Sequence, residues 1–235
     1  MLKKTNKKEI RLASFLAQSG VASRRHSEEL IKQGKIKVNG QIVKLLSTKV
    51  AVDAISVEFN NKPVRLDNKV YYLLNKPWGY VCSVSDAHNP QTVLSLVPPE
   101  PKVFPVGRLD KDSQGLILLT NDGDLAYRLT HPKFKVPKTY AVSLDKTFKP
   151  ADKAQLLVGI KLDEGLAQAD KVVIKNQKDL MIILHQGYKR QIRRMLESLG
   201  YQVLSLIRVA EGHLVLGSLP EGEYIILDKS AVEKV

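Results

Sequence analysis

The stretch that most constrains the fold is Gly107 to Leu125, which reads GRLDKDSQGLILLTNDGDL. At its centre, Leu116 to Leu119 form a short apolar run bounded by turn signals, a pattern typical of a buried strand. Asn121-Asp122-Gly123 predicts a tight turn directly after that strand. The acidic residues Asp110 and Asp112 therefore lie on a loop that leads into a rigid element, where positioned functional groups are commonly found.

The chain is strongly basic, and the excess charge is concentrated near its beginning. Its 235 residues hold 37 Lys and Arg against 24 Asp and Glu, a net charge of +13, with a pI near 9.7. Residues 1–65 hold 14 basic and 5 acidic residues, a net of +9, whereas residues 66–235 hold 23 and 19, a net of +4. This imbalance predicts a module that binds a polyanion, either a nucleic acid or an anionic membrane surface, joined to a more neutral body.

The remaining composition bears on the compartment. The single cysteine, Cys82, excludes an internal disulfide and a zinc cluster built on cysteines. No segment has about 18 consecutive apolar residues, and the charged first residues do not resemble a signal peptide. We therefore expect a cytoplasmic protein that spans no membrane.

Residues 10–60 predict a small module of two helices and a hairpin. Apolar spacing favours a helix over Ile10–Gln18, and a second helix over Arg24–Gln33 follows a capping Ser23 and precedes Gly34. Asn39-Gly40 between two β-like runs is the strongest short-range signal for a β-hairpin. The basic residues of the module predict a phosphate-binding surface, and they are Arg24, Arg25, Lys32, Lys35 and Lys37.

We divide the whole chain into a basic arm (1–9), this module (10–60), a polar linker (61–69) and a larger body (70–235). Short strands dominate the body, with a few helices between them. Strands are predicted over 71–74, 80–82, 103–106, 116–119, 139–144, 171–175, 180–185, 203–209, 214–216 and 224–227, and helices over 124–129, 150–158 and 190–199. This pattern predicts an α+β fold whose body is mixed and mostly antiparallel.

The body lacks the common signatures of nucleotide-binding and hydrolytic enzymes. It contains neither a Gly-rich phosphate loop nor a nucleophile elbow, and its histidines lack metal-ligand spacing. Asp110 and Asp112 are two residues apart, so an extended chain directs both to one side. They could hold a metal ion, or act as an acid and a base at a glycosidic bond, while Asp112 with Ser113 could simply shape a turn. We favour the turn for Asp112 and a functional role for Asp110.

The helix predicted over 190–199 offers a partner for Asp110. At about 100° per residue, its core stripe consists of Ile192, Met195, Leu196 and Leu199. Arg190 and Arg194 lie on the opposite face, towards solvent or phosphate. Arg193 lies at the border, so its guanidinium can reach inward to Asp110 and keep that carboxylate ionised.

Tyr140 lies in KTYAVSL, on a predicted strand where it shares a face with Val142 and Leu144. That position favours core packing and a functional role about equally. At a nucleic-acid pocket, a tyrosine stacks on a base or uses its hydroxyl in proton transfer.

The block GRLDKDSQGL followed by LTNDGDL resembles the catalytic signature of bacterial ribosomal RNA pseudouridine synthases. The similar group has an N-terminal RNA-binding module like that of the S-four ribosomal protein, and GVASRR and KVNG in residues 20–40 resemble that module. LNKPWGYV, KTYAVSL and QGYKRQIRRM are similar to later blocks of the family and follow in the same order. The resemblance thus covers nearly the whole chain.

This resemblance implies an enzyme that isomerises a uridine in ribosomal RNA, with large-subunit RNA favoured, and that uses no cofactor and no metal. It implies that Asp110 is the nucleophile, that Tyr140 stacks on the uracil and takes up a proton, and that Arg193 pairs with the aspartate. Attack at the anomeric carbon and elimination through a glycal are both compatible with these roles.

The expected partner is ribosomal RNA or a pre-ribosomal particle, bound by a monomer. Tyr188-Lys189 and Ser113 depart from the residues common in the family. Small-subunit or transfer RNA, a non-catalytic role in ribosome assembly, and a metal-dependent glycosyl enzyme remain alternatives. The RNA contacts expected in the body are Arg108, Lys138, Lys189, Arg190 and Arg194.

Overall fold

The computed structural model describes residues 9–52, 55–83 and 91–234. Contacts divide the chain into two units, which meet in sequence at Lys69 and Val70. The basic arm predicted for residues 1–9 lies outside the described residues apart from Glu9. Within the described ranges, no helix has the length and apolar character needed to cross a membrane.

The first unit combines two helices with two small antiparallel sheets. The elements are β1 (Glu9–Arg11), α1 (Leu12–Gln18), α2 (Arg24–Lys32), β2 (Ile36–Val38), β3 (Gln41–Ile42), β4 (Lys49–Ala51), β5 (Val57–Phe59) and β6 (Lys62–Val64). The order in the larger sheet is β3-β2-β5-β6, and β1 pairs with β4 in the smaller one. Both helices bury apolar side chains against these strands, among them Leu12, Leu16 and Ile31.

Local signals explain most of this unit. The side chain of Ser23 accepts a hydrogen bond from the His26 amide and caps α2. Asn39 and Gly40 both have positive φ, as the tight turn between β2 and β3 requires. Two expectations are corrected. The first helix begins at Leu12 rather than Ile10, because residues 9–11 pair with β4. Residues 62–64 of the predicted linker form β6, which pairs with β5.

The second unit is built on a nine-stranded sheet. The elements of this unit are β7 (Tyr71–Lys76), β8 (Phe104–Pro105), β9 (Gln114–Thr120), α3 (Gly123–Thr130), β10 (Lys138–Leu144), α4 (Asp152–Val158), β11 (Ile160–Leu162), β12 (Gly165–Ala167), β13 (Lys171–Ile174), β14 (Asp179–Leu184), α5 (Gln191–Ser198), β15 (Val203–Glu211), β16 (Leu214–Val215), β17 (Tyr224–Ile226) and α6 (Lys229–Val232). Seven strands of the sheet follow the order β13-β14-β10-β15-β9-β7-β17, while β16 pairs with β15 and β8 pairs with β9.

The α+β class and the mostly antiparallel body are confirmed. All pairings in the large sheet are antiparallel except the one between β9 and β15. The strand predicted over Tyr80–Cys82 is wrong, since only Val81 forms a bridge there, to Thr92.

The apolar run in β9 is buried on both faces, which explains why it lacks the alternation of a half-exposed strand. Leu116 and Leu118 contact a core that includes α3, whereas Ile117 and Leu119 contact a second core on the opposite face. Burial on both sides fixes the start of β9 at the centre of the sheet. The loop that carries Asp110 therefore has a rigid support.

Candidate active site

A cavity of about 780 Å³ is lined by residues of β10 and β15, which are neighbours in the sheet, and by the loop that leads into β9. One wall is the loop before β9, which contributes Asp110. The other walls come from the segment after α3, the start of β10, the segment before α5, and β15. Its volume lies within the usual range of about 300–1,000 Å³ for ligand pockets in proteins.

Asp110 is half-buried and lines this cavity, as the sequence indicated. A turn follows it, in which the Ser113 amide donates to the Asp110 carbonyl at 3.1 Å. Just before it, the Leu109 amide donates to Cys82 Sγ at 3.3 Å. These backbone contacts hold the aspartate at the mouth of the cavity.

Lys76, at the end of β7, supports the same loop from inside the protein. Its side chain is fully buried, and Nζ donates to the Ser113 carbonyl at 2.6 Å and to the Pro77 carbonyl at 2.9 Å. Burial lowers the pKa of the Lys76 ammonium. Lys76 is not among the predicted site residues, although a lysine at the end of an apolar strand is a visible signal in the sequence.

Tyr140 also lines the cavity and packs against two cores. Val142 and Leu144, on the same face of β10, are buried, so the predicted alternation holds and Tyr140 marks where the core ends and the cavity begins. Burial raises the pKa of the Tyr140 hydroxyl, and the guanidinium of Arg208 opposes that shift.

The pairing predicted between Arg193 and Asp110 is corrected by the structure. Arg193 Nη2 donates to the Asp112 carbonyl at 2.7 Å and Nη1 to the Val203 carbonyl at 2.9 Å, while Nε lies 3.5 Å from Asp112 Oδ2. Burial lowers the pKa of Arg193, and the charge of Asp112 opposes that shift more strongly than the charge of Asp110 does. Arg193 therefore holds the Asp110 loop through Asp112.

Asp112 is thus more than the turn residue that we favoured. Arg190 Nη1 donates to both of its carboxylate oxygens, at 2.9 and 2.8 Å. This double contact also argues against Asp110 and Asp112 sharing a metal ion, because two arginines occupy the surroundings of Asp112. Arg190 adopts a left-handed backbone (φ 51°) at the start of α5, where a non-glycine residue is uncommon.

We expect the Asp112 clamp to stabilise the protein only where Asp112 is ionised. Partial burial raises the pKa of its carboxyl, but the Arg190 hydrogen bonds and the charges of Arg193 and Arg190 outweigh burial and lower it. The stabilisation is therefore present above the ordinary aspartate pKa of about 3.9 and disappears as the pH falls through the lower folded-state pKa. Asp112→Asn should reduce the free energy of unfolding by about 1 kcal/mol at pH 7.

Urea unfolding at pH 7 and near pH 3 measures this effect. The gap between the wild type and Asp112→Asn should shrink at the lower pH. Arg190→Gln and the double variant complete a cycle that isolates the coupling between the two side chains. A gap of equal size at both pH values would contradict the role of the charge.

The remaining candidate RNA contacts of the body divide into three groups. Arg108 and Lys189 are exposed and line the cavity, together with Arg190. Lys138 lines the cavity too, but its side chain is largely buried and Nζ lies 3.8 Å from Glu211 Oε1. Arg194 is bound to Asp163 and Glu164 and is not among the residues that line the cavity.

In the first unit, four of the five basic residues proposed for phosphate contact are exposed, and they are Arg24, Arg25, Lys32 and Lys35. Lys37 is half-buried, and its Nζ donates to Asn61 Oδ1 at 2.9 Å. This hydrogen bond links β2 to the turn between β5 and β6, so Lys37 also has a structural role.

The sequence did not reveal a charged residue that lines the cavity, or a second one that contacts it from inside the protein. Arg208 lies on β15, is 1% exposed and lines the cavity, and Glu211 is completely buried three residues later. The sequence signal for Arg208 is its position inside the otherwise largely apolar run VLSLIRVA, because a buried strand does not need an arginine for packing.

Comparison with known families identifies the class of protein to which the two units and the cavity belong. A family model described as RNA pseudouridylate synthase matches residues 70–198, and the S4 domain matches residues 10–55. The chain belongs to the RNA pseudouridylate synthase family and is an isomerase that acts on RNA.

Its relatives are similar over almost their whole lengths. The chain is 40% identical over 221 residues to the ribosomal large subunit pseudouridine synthase B of Bacillus subtilis, covering 91% of this chain and 90% of the relative. It is 37% identical to an uncharacterized RNA pseudouridine synthase of Aquifex aeolicus, covering 97% and 94%. A crystal structure of a pseudouridylate synthase, 33% identical, superposes with a TM-score of 0.69 and covers 96% and 99% of the two chains.

Proposed function

We propose that this protein converts a uridine of large-subunit ribosomal RNA to pseudouridine in the cytoplasm, with Asp110 as the nucleophile. The observation that carries the proposal is that Asp110 and Tyr140 line one cavity whose rim holds the basic residues Arg108, Lys189 and Arg190. The name of the Bacillus subtilis relative supports the choice of large-subunit RNA.

The shape of the site fits an extruded nucleotide. The glycosidic bond of a stacked uridine is out of reach for a side chain, so the target must leave its stack and enter the cavity. Tyr140 offers a ring face for the uracil, and the basic rim offers contacts for flanking phosphates.

The proposed reaction needs only a nucleophile and a group that moves a proton. The Asp110 carboxylate attacks C1′ of the ribose, and the bond from C1′ to N1 breaks with its electron pair on the uracil. The uracil turns within the cavity, and C5 attacks C1′ and releases Asp110. The C5–H bond then gives its electrons back to the ring, Tyr140 receives the proton, and N1 is protonated.

The first unit supplies affinity in this proposal. Its exposed basic residues are suited to phosphate contacts, which release counterions and make affinity depend on salt. We expect the combined variant of Arg25, Lys32 and Lys35 to alanine to bind ribosomal RNA more weakly. The slope of log affinity against log salt should fall by about 2, since each lost phosphate contact removes about 0.7–0.9.

Filter binding between about 50 and 200 mM salt measures this slope. The matched control removes three charges from the second unit, on Lys171, Lys175 and Lys178, and should keep the wild-type slope. Equal loss in both variants would mean that net charge, rather than the first unit, governs binding.

The function itself is tested with RNA that carries tritium at C5 of uridine. Conversion to pseudouridine releases that tritium to water, so the purified protein should release it from unmodified large-subunit RNA. Chemical mapping of RNA from cells lacking the protein should show the loss of a pseudouridine in that RNA. A loss confined to small-subunit or transfer RNA would refute the substrate, and no tritium release from any of these RNAs would refute the activity.

A further inference from the structure

The proposed reaction leaves the buried charges of β15 unexplained. Residues i and i+3 of a regular strand point to opposite faces, yet the side chains of Arg208 and Glu211 meet at 3.4 Å. A bulge accounts for this contact, because Thr139 opposes Ala210 while Tyr140 opposes Arg208, which leaves Val209 as an extra residue.

The bulge gathers four functional groups on one face of two strands. Tyr140 is the direct cross-strand partner of Arg208, and Lys138 is the direct partner of Glu211. Lys138, Tyr140 and Arg208 all line the cavity. Bulges are found next to active sites because they redirect a side chain, and here the redirected pair lies beside Tyr140.

Burying these charged side chains costs more free energy than a purely structural role would justify. The side chains of Arg208 and Glu211 are each 1% exposed. Within the described part of the chain, Arg208 Nη2 and both carboxylate oxygens of Glu211 find no hydrogen-bond partner, although Arg208 Nε donates to the Leu116 carbonyl at 2.7 Å. A buried ion pair with incomplete hydrogen bonds contributes little stability compared with apolar packing.

We propose that Arg208, held in place by Glu211, is a positioning residue that fixes the phenol oxygen of Tyr140, which as the phenolate accepts the C5 proton of the rejoined uracil. This inference rests on the proposed function and names the group that makes its last step possible. Arg208 touches the reaction only through Tyr140.

The chemistry of that step requires such a neighbour. The C5–H electron pair becomes the C5–C6 double bond, the proton goes to the oxygen of the Tyr140 phenolate, and N1 gains the proton that balances the ring. Burial raises the pKa of Tyr140, which opposes ionisation, whereas the Arg208 guanidinium lowers it and Glu211 raises it. A hydrogen bond with Arg208 also lowers the pKa of Tyr140, and the charge of Asp110 raises it to a smaller extent than the charge of Glu211 does. The two members of the ion pair thus act on this pKa in opposite directions.

Because Arg208 and Glu211 shift the pKa of Tyr140 in opposite directions, substituting each should shift the pH dependence of the reaction in opposite directions. A loss of packing alone would not produce shifts of opposite sign. For a step that needs the phenolate, the single-turnover rate rises with pH up to the pKa of Tyr140. Arg208→Gln should move this rise to higher pH and slow the reaction about 100-fold at pH 7. Glu211→Gln should move it to lower pH, and Tyr140→Phe should remove it.

Two substrates locate the affected step. With RNA that carries deuterium at C5, Arg208→Gln should show a larger isotope effect than the wild type. With RNA that carries 5-fluorouridine, no proton is present at C5, so rearrangement up to that point should proceed at nearly the wild-type rate. Leu180→Ala, which opens a cavity in a core of the same unit, controls for lost stability and should change neither readout.

If Arg208→Gln does not fold, Glu211→Gln still tests the expected shift to lower pH, and Arg208→Lys, which keeps the positive charge, should leave the rise near its wild-type pH. Equal shifts of both pH profiles, or slow rearrangement of 5-fluorouridine RNA, would overturn the positioning role. Absence of pseudouridine formation by the wild type would instead refute the proposed function, so the two failures are distinguishable.

Discussion

Asparagine in place of Asp110 is expected to abolish pseudouridine formation, with a loss on the order of 10⁴-fold or more. The substitution keeps the shape of the side chain but replaces the anionic carboxylate oxygen that attacks C1′ with a neutral amide. Because Asp110 is half-buried at the cavity wall and its loop is held by Lys76, Cys82 and Asp112, the fold should not depend on its charge. RNA affinity should stay within about threefold of the wild type, as a change of one charge allows.

Tritium release and mapping of the modified site measure activity, and the midpoint of thermal unfolding checks the fold. Asp67→Asn provides the matched control, since it makes the same chemical change at an exposed position of the first unit. Turnover by Asp110→Asn within tenfold of the wild type would rule out Asp110 as the nucleophile. A fall in RNA affinity as large as the fall in turnover would assign it to binding instead.

Local signals in the sequence were sufficient for much of the fold. The Asn39-Gly40 turn and the Ser23 cap define β2, β3 and α2, because each acts over a few residues. Pairings between distant segments were not predictable in this way. Residues 9–11 resemble the first turn of a helix, yet they pair with β4, some 40 residues later.

The site shows the same division. Asp110 was singled out from a loop signal, which is a local property, and it lines the cavity. The strand period left Tyr140 equally open to core packing and to function, and Tyr140 both packs against two cores and lines the cavity. The helix plot correctly placed Arg193 at the border between the buried and exposed faces of α5. Such a plot gives only the direction of the side chain, and in that direction the loop before β9 presents Asp112 rather than Asp110. Arg208 and Glu211 share a face only because of a bulge, and a bulge is a property of two paired strands.

Gly115 lies at the point where these distant elements come closest. It is the second residue of β9, and its direct partner in the parallel pair with β15 is Arg208. A Cβ at this position would lie 2.7 Å from the Arg208 backbone nitrogen and closer still to the Arg208 carbonyl oxygen. The backbone φ is +102°, a conformation that residues with side chains rarely adopt.

We therefore expect Gly115→Ala to destabilise the second unit by about 3–5 kcal/mol, since strain at the glycine φ adds to overpacking against a backbone that cannot move aside. The midpoint of thermal unfolding should fall by about 10 °C or more. Gly123→Ala is the matched control, because Gly123 has no atom within 4 Å of its added Cβ and begins α3 without a positive φ.

Gly115→Ala also tests whether activity depends on the relative position of β9 and β15. β9 carries the Asp110 loop at its start, and β15 carries Arg208 beside Tyr140, so a displacement of one strand from the other separates the proposed nucleophile from the proposed proton acceptor. Positioning errors of about 1 Å cost roughly 100-fold in rate. Protein that remains folded at low temperature should therefore lose turnover as well as stability, whereas Gly123→Ala should keep both. An unfolding midpoint within about 2 °C of the wild type, less than the effect of about 1 kcal/mol, would show that the two strands separate freely and that the site does not depend on their contact.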